Sequence, residues 1–121
     1  MILVICVLLS FCAFAQVESV SVEKFEELLN AMDNRQLIDT RSAIEFSKHR
    51  ISGAININPR DPDLLQKVEH FDKDKPVLIY CLVAVRTKRV MGILRRAGFT
   101  MVYELDGGID AWISEGKPVE K

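Results

Sequence analysis

Val77-Leu78-Ile79-Tyr80-Cys81-Leu82-Val83-Ala84-Val85-Arg86-Thr87 is the stretch whose reading decides the fold. Pro76 opens it, and Val77 to Tyr80 are apolar on both faces, as in a central strand of a parallel sheet covered on each side. From Thr87 to Ala97 the period changes. Val90, Ile93, Leu94 and Ala97 fall on one helical stripe, and Gly98 stands where a helix C-cap belongs. A buried strand, a short loop and an amphipathic helix make half of a βαβ unit, and the sequence on either side repeats that alternation.

Upstream, Val17 to Val20 reads as a short edge strand, and Ser21 as the N-cap of a helix carrying Phe25, Leu28 and Leu29. Gln36 to Ile38 reads as a strand ending at Asp39. Ser42 to Lys48 reads as a short helix with Ile44 on its inner face. Gly53 marks a turn, and Ala54 to Ile57 reads as a strand. Pro59 and Pro62 break the chain before a helix over Asp63 to His70, with Leu64, Leu65 and Val68 inward. Downstream, Thr100 to Leu105 is the last strand. Gly107-Gly108 turns the chain into a final helix with Ile109, Trp112 and Ile113, and Gly116 stops it. The expected fold is α/β: a small parallel sheet of about five strands with helices on both faces. Ligands of such sheets bind at the carboxyl ends of the strands, and Cys81 directly follows the central one.

The 121 residues suit one domain, expected over residues 16–121. Lys and Arg number 16 against 17 Asp and Glu, which gives no basic excess for nucleic-acid binding. Met1 to Ala15 carry no charge and end in Ala13-Phe14-Ala15, a small-x-small pattern. The segment reads as a signal peptide cleaved after Ala15, and it is too short for a stable membrane helix. Export to a bacterial periplasm is therefore expected. Lipidation at Cys12 ranks below simple cleavage, because Phe11 is bulky where such signals want a small residue. Cleavage removes Cys6 and Cys12 and leaves Cys81 as the one mature cysteine. A single thiol in an exported chain is a buried hydrophobe, an intermolecular partner or a reactive group.

On its own, Cys81 reads most simply as a buried apolar residue. Its surroundings favour reactivity. The loop leads into a helix N-terminus, where backbone N–H groups and the macrodipole attract an anion. Arg86 adds a permanent charge, and the Thr87 hydroxyl is placed to donate to a sulfur anion. Each favours the thiolate, which is the nucleophilic form.

Cys81, four residues, Arg86 and Thr87 resemble the Cys-x-x-x-x-Arg-Ser/Thr active-site loop of rhodaneses. Leu37-Ile38-Asp39-Thr40-Arg41 is similar to that family's Asp-x-Arg segment. Glu45-Phe46 and His49-Arg50-Ile51-Ser52-Gly53-Ala54-Ile55-Asn56-Ile57 resemble its "E-[FY]…H-I-x-G-A-x-N-I" stretch. Leu105-Asp106-Gly107-Gly108, Trp112 and Gly116-Lys117-Pro118-Val119 resemble its C-terminal motif. The resemblance covers nearly all of the mature chain. It implies a sulfurtransferase in which Cys81 accepts the outer sulfur of thiosulfate or of a persulfide and passes it to a thiol or cyanide. It further implies that backbone N–H groups from Leu82, Val83, Ala84 and Val85 to Arg86 cradle the persulfide, with Thr87 beside them. Arg86 would hold the loop and bind anionic donors. Asp39 and Arg41 would be structural near the site. Related phosphatases have a loop one residue longer, so four residues favour sulfur over phosphate.

The loop departs from the family in being apolar throughout, with Ala84 where the family has Gly. The expectation is weak thiosulfate:cyanide turnover, with a protein persulfide or an apolar thiol docking on this patch. The alternative is a non-catalytic binding or sulfur-delivery module. His49 and His70 have no cysteine or carboxylate at metal spacing, so neither a metal nor another cofactor is expected. Trp112 reads as a core residue. Lys88, Arg89, Arg95 and Arg96 read as a solvated helix face, of which Lys88 and Arg89 could steer anions. The fold needs no partner subunit, and a monomer is expected.

Overall fold

The computed structural model describes residues 16–82 and 86–121. The expected signal peptide and the loop residues Val83, Ala84 and Val85 lie outside the described residues. In chain order the elements are β1 (Gln16–Val20), α1 (Val22–Asn30), β2 (Leu37–Asp39), α2 (Ala43–Lys48), β3 (Ala54–Asn56), α3 (Leu64–Lys67), β4 (Val77–Tyr80), α4 (Thr87–Arg96), β5 (Met101–Leu105) and α5 (Gly108–Ser114). The strands form one sheet in the order β1-β5-β4-β2-β3, and every pairing is parallel. This is the α/β fold expected from the alternation of strands and helices.

All four residues of β4 are buried, and successive side chains point to opposite faces. Leu78 and Tyr80 join Phe25 and Leu29 of α1 and Ile109 and Trp112 of α5 in one core. Val77 and Ile79 join Leu64 and Val68 with Val90, Met91 and Leu94 of α4 in the other. Two separate apolar layers therefore sandwich the sheet. In the first, the Phe25 and Trp112 rings meet edge to face with centroids 6.2 Å apart.

Two short helices differ from expectation. Ile44 is 70% exposed, and α2 buries no residue at all. Its six residues are set by a capping box between Ser42 and Glu45 rather than by an apolar stripe. The helix expected over 63–70 shrinks to Leu64–Lys67, and Leu65 is 47% exposed. Asp63 makes no side-chain cap there. Val68 and Phe71 reach the core through a turn, with the Phe71 N–H donating to the Val68 carbonyl.

Candidate active site

The register aligns Asp39 of β2 with Tyr80 of β4 on one side and with Asn56 of β3 on the other. These three residues close the carboxyl ends of their strands in one row. Beyond the row the chain turns, and the turns interlock. Thr40 donates from both its N–H (3.0 Å) and its hydroxyl (3.2 Å) to the Tyr80 carbonyl. Asn56 donates from its amide to the Asp39 carbonyl (3.2 Å) and the Arg41 carbonyl (2.8 Å). The strand end from which Cys81 emerges is thereby fixed by its neighbours.

Under these turns lies a buried charge pair. Arg41 folds back on Asp39, with Nη2 donating to Oδ2 at 2.7 Å and Nε shared between both carboxylate oxygens at 3.1 Å. Arg41 is 1% exposed and Asp39 is fully buried. Arg41 Nη2 also donates to the His49 carbonyl at 2.5 Å, and the guanidinium carbon lies 5.8 Å from the Tyr80 ring centroid. Burial disfavours the guanidinium charge, yet hydrogen bonding and attraction to Asp39 outweigh it, and the Arg41 pKa is raised. Burial pushes the Tyr80 phenol well above its ordinary range, and the adjacent Asp39 carboxylate adds to the rise. Tyr80 stays a neutral phenol and accepts from the Ile51 N–H at 3.1 Å. The pair and the phenol together hold the 49–51 segment that follows α2.

That segment places α2, and α2 places Arg86. Glu45 Oε1 accepts from the Ser42 N–H at 3.2 Å and from Arg86 Nη1 at 3.4 Å. The Ser42 hydroxyl and backbone hold the Glu45 carboxyl below its ordinary pKa, with Arg86 adding to the effect. Arg86 is the N-cap residue of α4, and its side chain is 43% exposed. Cys81 itself is buried at the end of β4.

Thr87 differs from expectation. It is completely buried, and its hydroxyl donates to the Glu104 carboxylate on β5. Glu104 is itself only 9% exposed, and its carboxylate is a stronger acceptor than a sulfur anion. The contact ties the first turn of α4 to the sheet, so Thr87 anchors the helix instead of donating to Cys81.

The other side of the loop rests on the β5–α5 turn. The Ile109 N–H donates to the Cys81 carbonyl at 2.9 Å, and the Asp110 N–H points to the Leu82 carbonyl at 3.4 Å. Leu82 is half-buried and packs against the first core. Such close approach requires Gly108. Its φ is +61°, and a Cβ there would lie 2.5 Å from the Cys81 carbonyl oxygen and closer still to that of Leu82. The sequence reading found the Gly-Gly turn but not its contact with the thiol loop. It also missed Tyr80 and Thr40, which look like ordinary strand-end residues. No cluster of three or more metal-ligating side chains occurs among the described residues.

Comparison with known proteins identifies the family. The model of the rhodanese-like domain family matches residues 21–115. A putative sulfurtransferase of Bacillus subtilis, YtwF, is 32% identical over 103 residues, which cover 85% of this chain and 97% of that protein. The thiosulfate sulfurtransferase GlpE of Shewanella oneidensis is 32% identical over 77 residues, covering 64% of this chain and 74% of that one. The crystal structure of a rhodanese-like domain from the Alr3790 protein of Anabaena sp. superposes with a TM-score of 0.63 at 28% identity, covering 72% of this chain and 99% of that chain. With the family model matched over residues 21–115 and the parallel five-stranded sheet, the chain belongs to the rhodanese-like family.

Proposed function

We propose that the protein is a sulfurtransferase that carries sulfane sulfur on Cys81. The Cys81 thiolate attacks the outer sulfur of thiosulfate. A new S–S bond forms, the bond to the central sulfur breaks, and its electron pair leaves with sulfite. An acceptor thiolate then attacks the terminal persulfide sulfur, forms its own persulfide and returns Cys81 as thiolate. A persulfide donor enters by the same exchange, with a thiolate as leaving group. Neither step needs an external oxidant or reductant.

One observation carries this reading: the thiol directly follows the central strand, five positions before Arg86, which is the N-cap residue of α4. Anions are favoured at such a helix end. A sulfur-delivery module that loads once and releases only to a protein partner is the second reading. The run Leu82-Val83-Ala84-Val85 favours it, because that loop offers no polar side chain to a small dianion.

Intact mass after exposure to thiosulfate, and separately to a low-molecular-weight persulfide, tests the proposal. The expected result is a gain of one sulfur atom that is absent in Cys81→Ser and is removed by cyanide or thiol. No gain with either donor overturns it. A gain that no small acceptor removes selects the delivery module over the enzyme.

A further inference from the structure

Beside the Cys81 loop, at the same end of the sheet, lies an open cleft of about 450 Å³. Its walls come from three strand ends: Thr40, Arg41 and Ser42 after β2, Asn58 to Arg60 after β3, and Arg86 and Arg89 at the start of α4. Four of these residues are arginines, and no carboxylate is among the described residues that line the cleft. Two of the four charges are already answered, Arg41 by Asp39 and Arg86 by Glu45. Arg60 and Arg89 make no ion pair among the described residues. Arg89 is held by its side chain, and the turn that carries Arg60 is held by its backbone. Arg89 Nε donates to the Pro59 carbonyl at 2.8 Å, and the Arg60 backbone N–H donates to Asn58 Oδ1 at 3.0 Å.

The charge is one-sided. On their far side, Arg60 and Arg89 border a hollow that contains Asp61 and Asp63. A further hollow of about 360 Å³, between α4 and the β1–β5 edge, balances Lys88 and Arg95 against Glu18 and Glu104. Among these three hollows, only the cleft beside the Cys81 loop is lined by cations without a carboxylate. Its volume falls within the range of small-molecule sites and leaves ample room beyond a single small oxyanion.

We propose that this cleft binds the anionic tail of an extended thiol acceptor, with Arg60 and Arg89 taking a carboxylate or phosphate while the acceptor's sulfur meets Cys81. The proposal rests on the sulfur-transfer reading and names its acceptor class. Guanidinium forks suit both anions, which they bind through paired hydrogen bonds. The transfer is the exchange already written: the acceptor thiolate forms a bond to the terminal persulfide sulfur, the Cys81 S–S bond breaks, and Cys81 leaves as thiolate. The tail takes no part in the chemistry. Charge recognition missing from the apolar loop is supplied a few residues away.

Two measurements test this. In the first, tricarballylate and inorganic pyrophosphate, which carry no sulfur, are titrated calorimetrically at low salt into the protein and into Arg60→Gln and Arg60→Gln/Arg89→Gln. The expected result is binding of at least one probe, weakened about tenfold in the double variant, as for loss of a charge-assisted hydrogen bond. The tighter probe identifies the tail as carboxylate or phosphate. In the second, Cys81 loaded from thiosulfate is discharged with mercaptosuccinate or with 2-mercaptoethanol. The double variant is expected to lose about tenfold in kcat/KM for mercaptosuccinate and to keep its rate with the neutral thiol. No binding of either probe, or equal losses with both thiols, overturns the proposal. If thiosulfate fails to load Cys81, a low-molecular-weight persulfide is used instead; if both fail, the sulfur-transfer reading falls, and the titration alone then decides whether the cleft binds anions.

Discussion

Arg41 and the pair Arg60 and Arg89 stand at the same end of the sheet and line the same cleft, yet the protein treats them in opposite ways. Arg41 is 1% exposed, bonded to both oxygens of Asp39 and to the His49 carbonyl. Arg60 and Arg89 are exposed and meet no carboxylate among the described residues. A buried guanidinium needs a counter-charge, because desolvating a lone charge costs several kcal/mol. An exposed one tolerates isolation in water and keeps its capacity for an incoming anion. The contrast separates an arginine that builds the site from two that are available to a ligand.

The strongest way to break this comparison is to remove the buried member. Arg41→Met leaves the Asp39 carboxyl buried and without its guanidinium partner, and the expected loss is about 3–5 kcal/mol of stability. Adding Asp39→Asn removes the stranded carboxyl, so the double variant should recover part of that loss. Urea denaturation of the two variants and the parent measures both effects. A single-variant loss below about 0.5 kcal/mol, the value of an ordinary surface change, would place Arg41 with the exposed arginines.

The next effect concerns the other support of the thiol loop. Gly108→Ala places a methyl group against the Cys81 and Leu82 carbonyls at a positive φ. The left-handed backbone costs about 1–2 kcal/mol, and crowding into a packed contact adds about 1–3 kcal/mol. The expected loss of stability is therefore about 2–5 kcal/mol. The neighbouring turn has to shift, and the rate of Cys81 alkylation should change with it. Gly116→Ala is the control, since its φ is also positive but a Cβ there meets nothing within 4 Å. Equal effects at the two glycines would mean that backbone strain, and not contact with the loop, sets the requirement.

These sites differ in how far sequence exposes them. β4 and α4 are legible because four apolar residues in a row and a repeating stripe leave few alternatives. Asp39 and Arg41 are visible as a motif near the site, but their complete burial depends on β3 and the 49–51 segment folding over them. α2 and α3 are too short for period to fix their rotation. For Ile44 and Leu65, capping and turn contacts decided the phase. Thr87 shows a different limit. Its place beside the loop is evident in the chain, but Glu104, 17 residues away, becomes its acceptor only once β5 lies next to β4. Gly108 is similar, because its role comes from a carbonyl that the sheet order brings against it.

The smallest effect sharpens the comparison at its intermediate member, Arg86, which is partly exposed and has one partner. Glu45→Gln keeps the capping geometry, because Gln serves at that helix position as Glu does. What it removes is the charge that faces Arg86 and the α2 N-terminus. In the folded protein the Glu45 pKa is depressed, first by the Ser42 hydrogen bonds and then by Arg86. The stability it contributes is therefore present above the unfolded carboxyl pKa of about 4.3 and is lost as pH falls through the lower folded value. At neutral pH the Gln variant should be less stable by about 0.5 kcal/mol, the usual size for a charge at a helix N-terminus. As the solution is acidified through that window the two proteins should converge. Chemical denaturation at a series of pH values follows the difference. A gap that persists in acid would mean that Gln disturbs the cap itself. No gap at any pH would mean that water screens the Glu45–Arg86 contact completely, leaving Arg86 as available to an anion as Arg60 and Arg89.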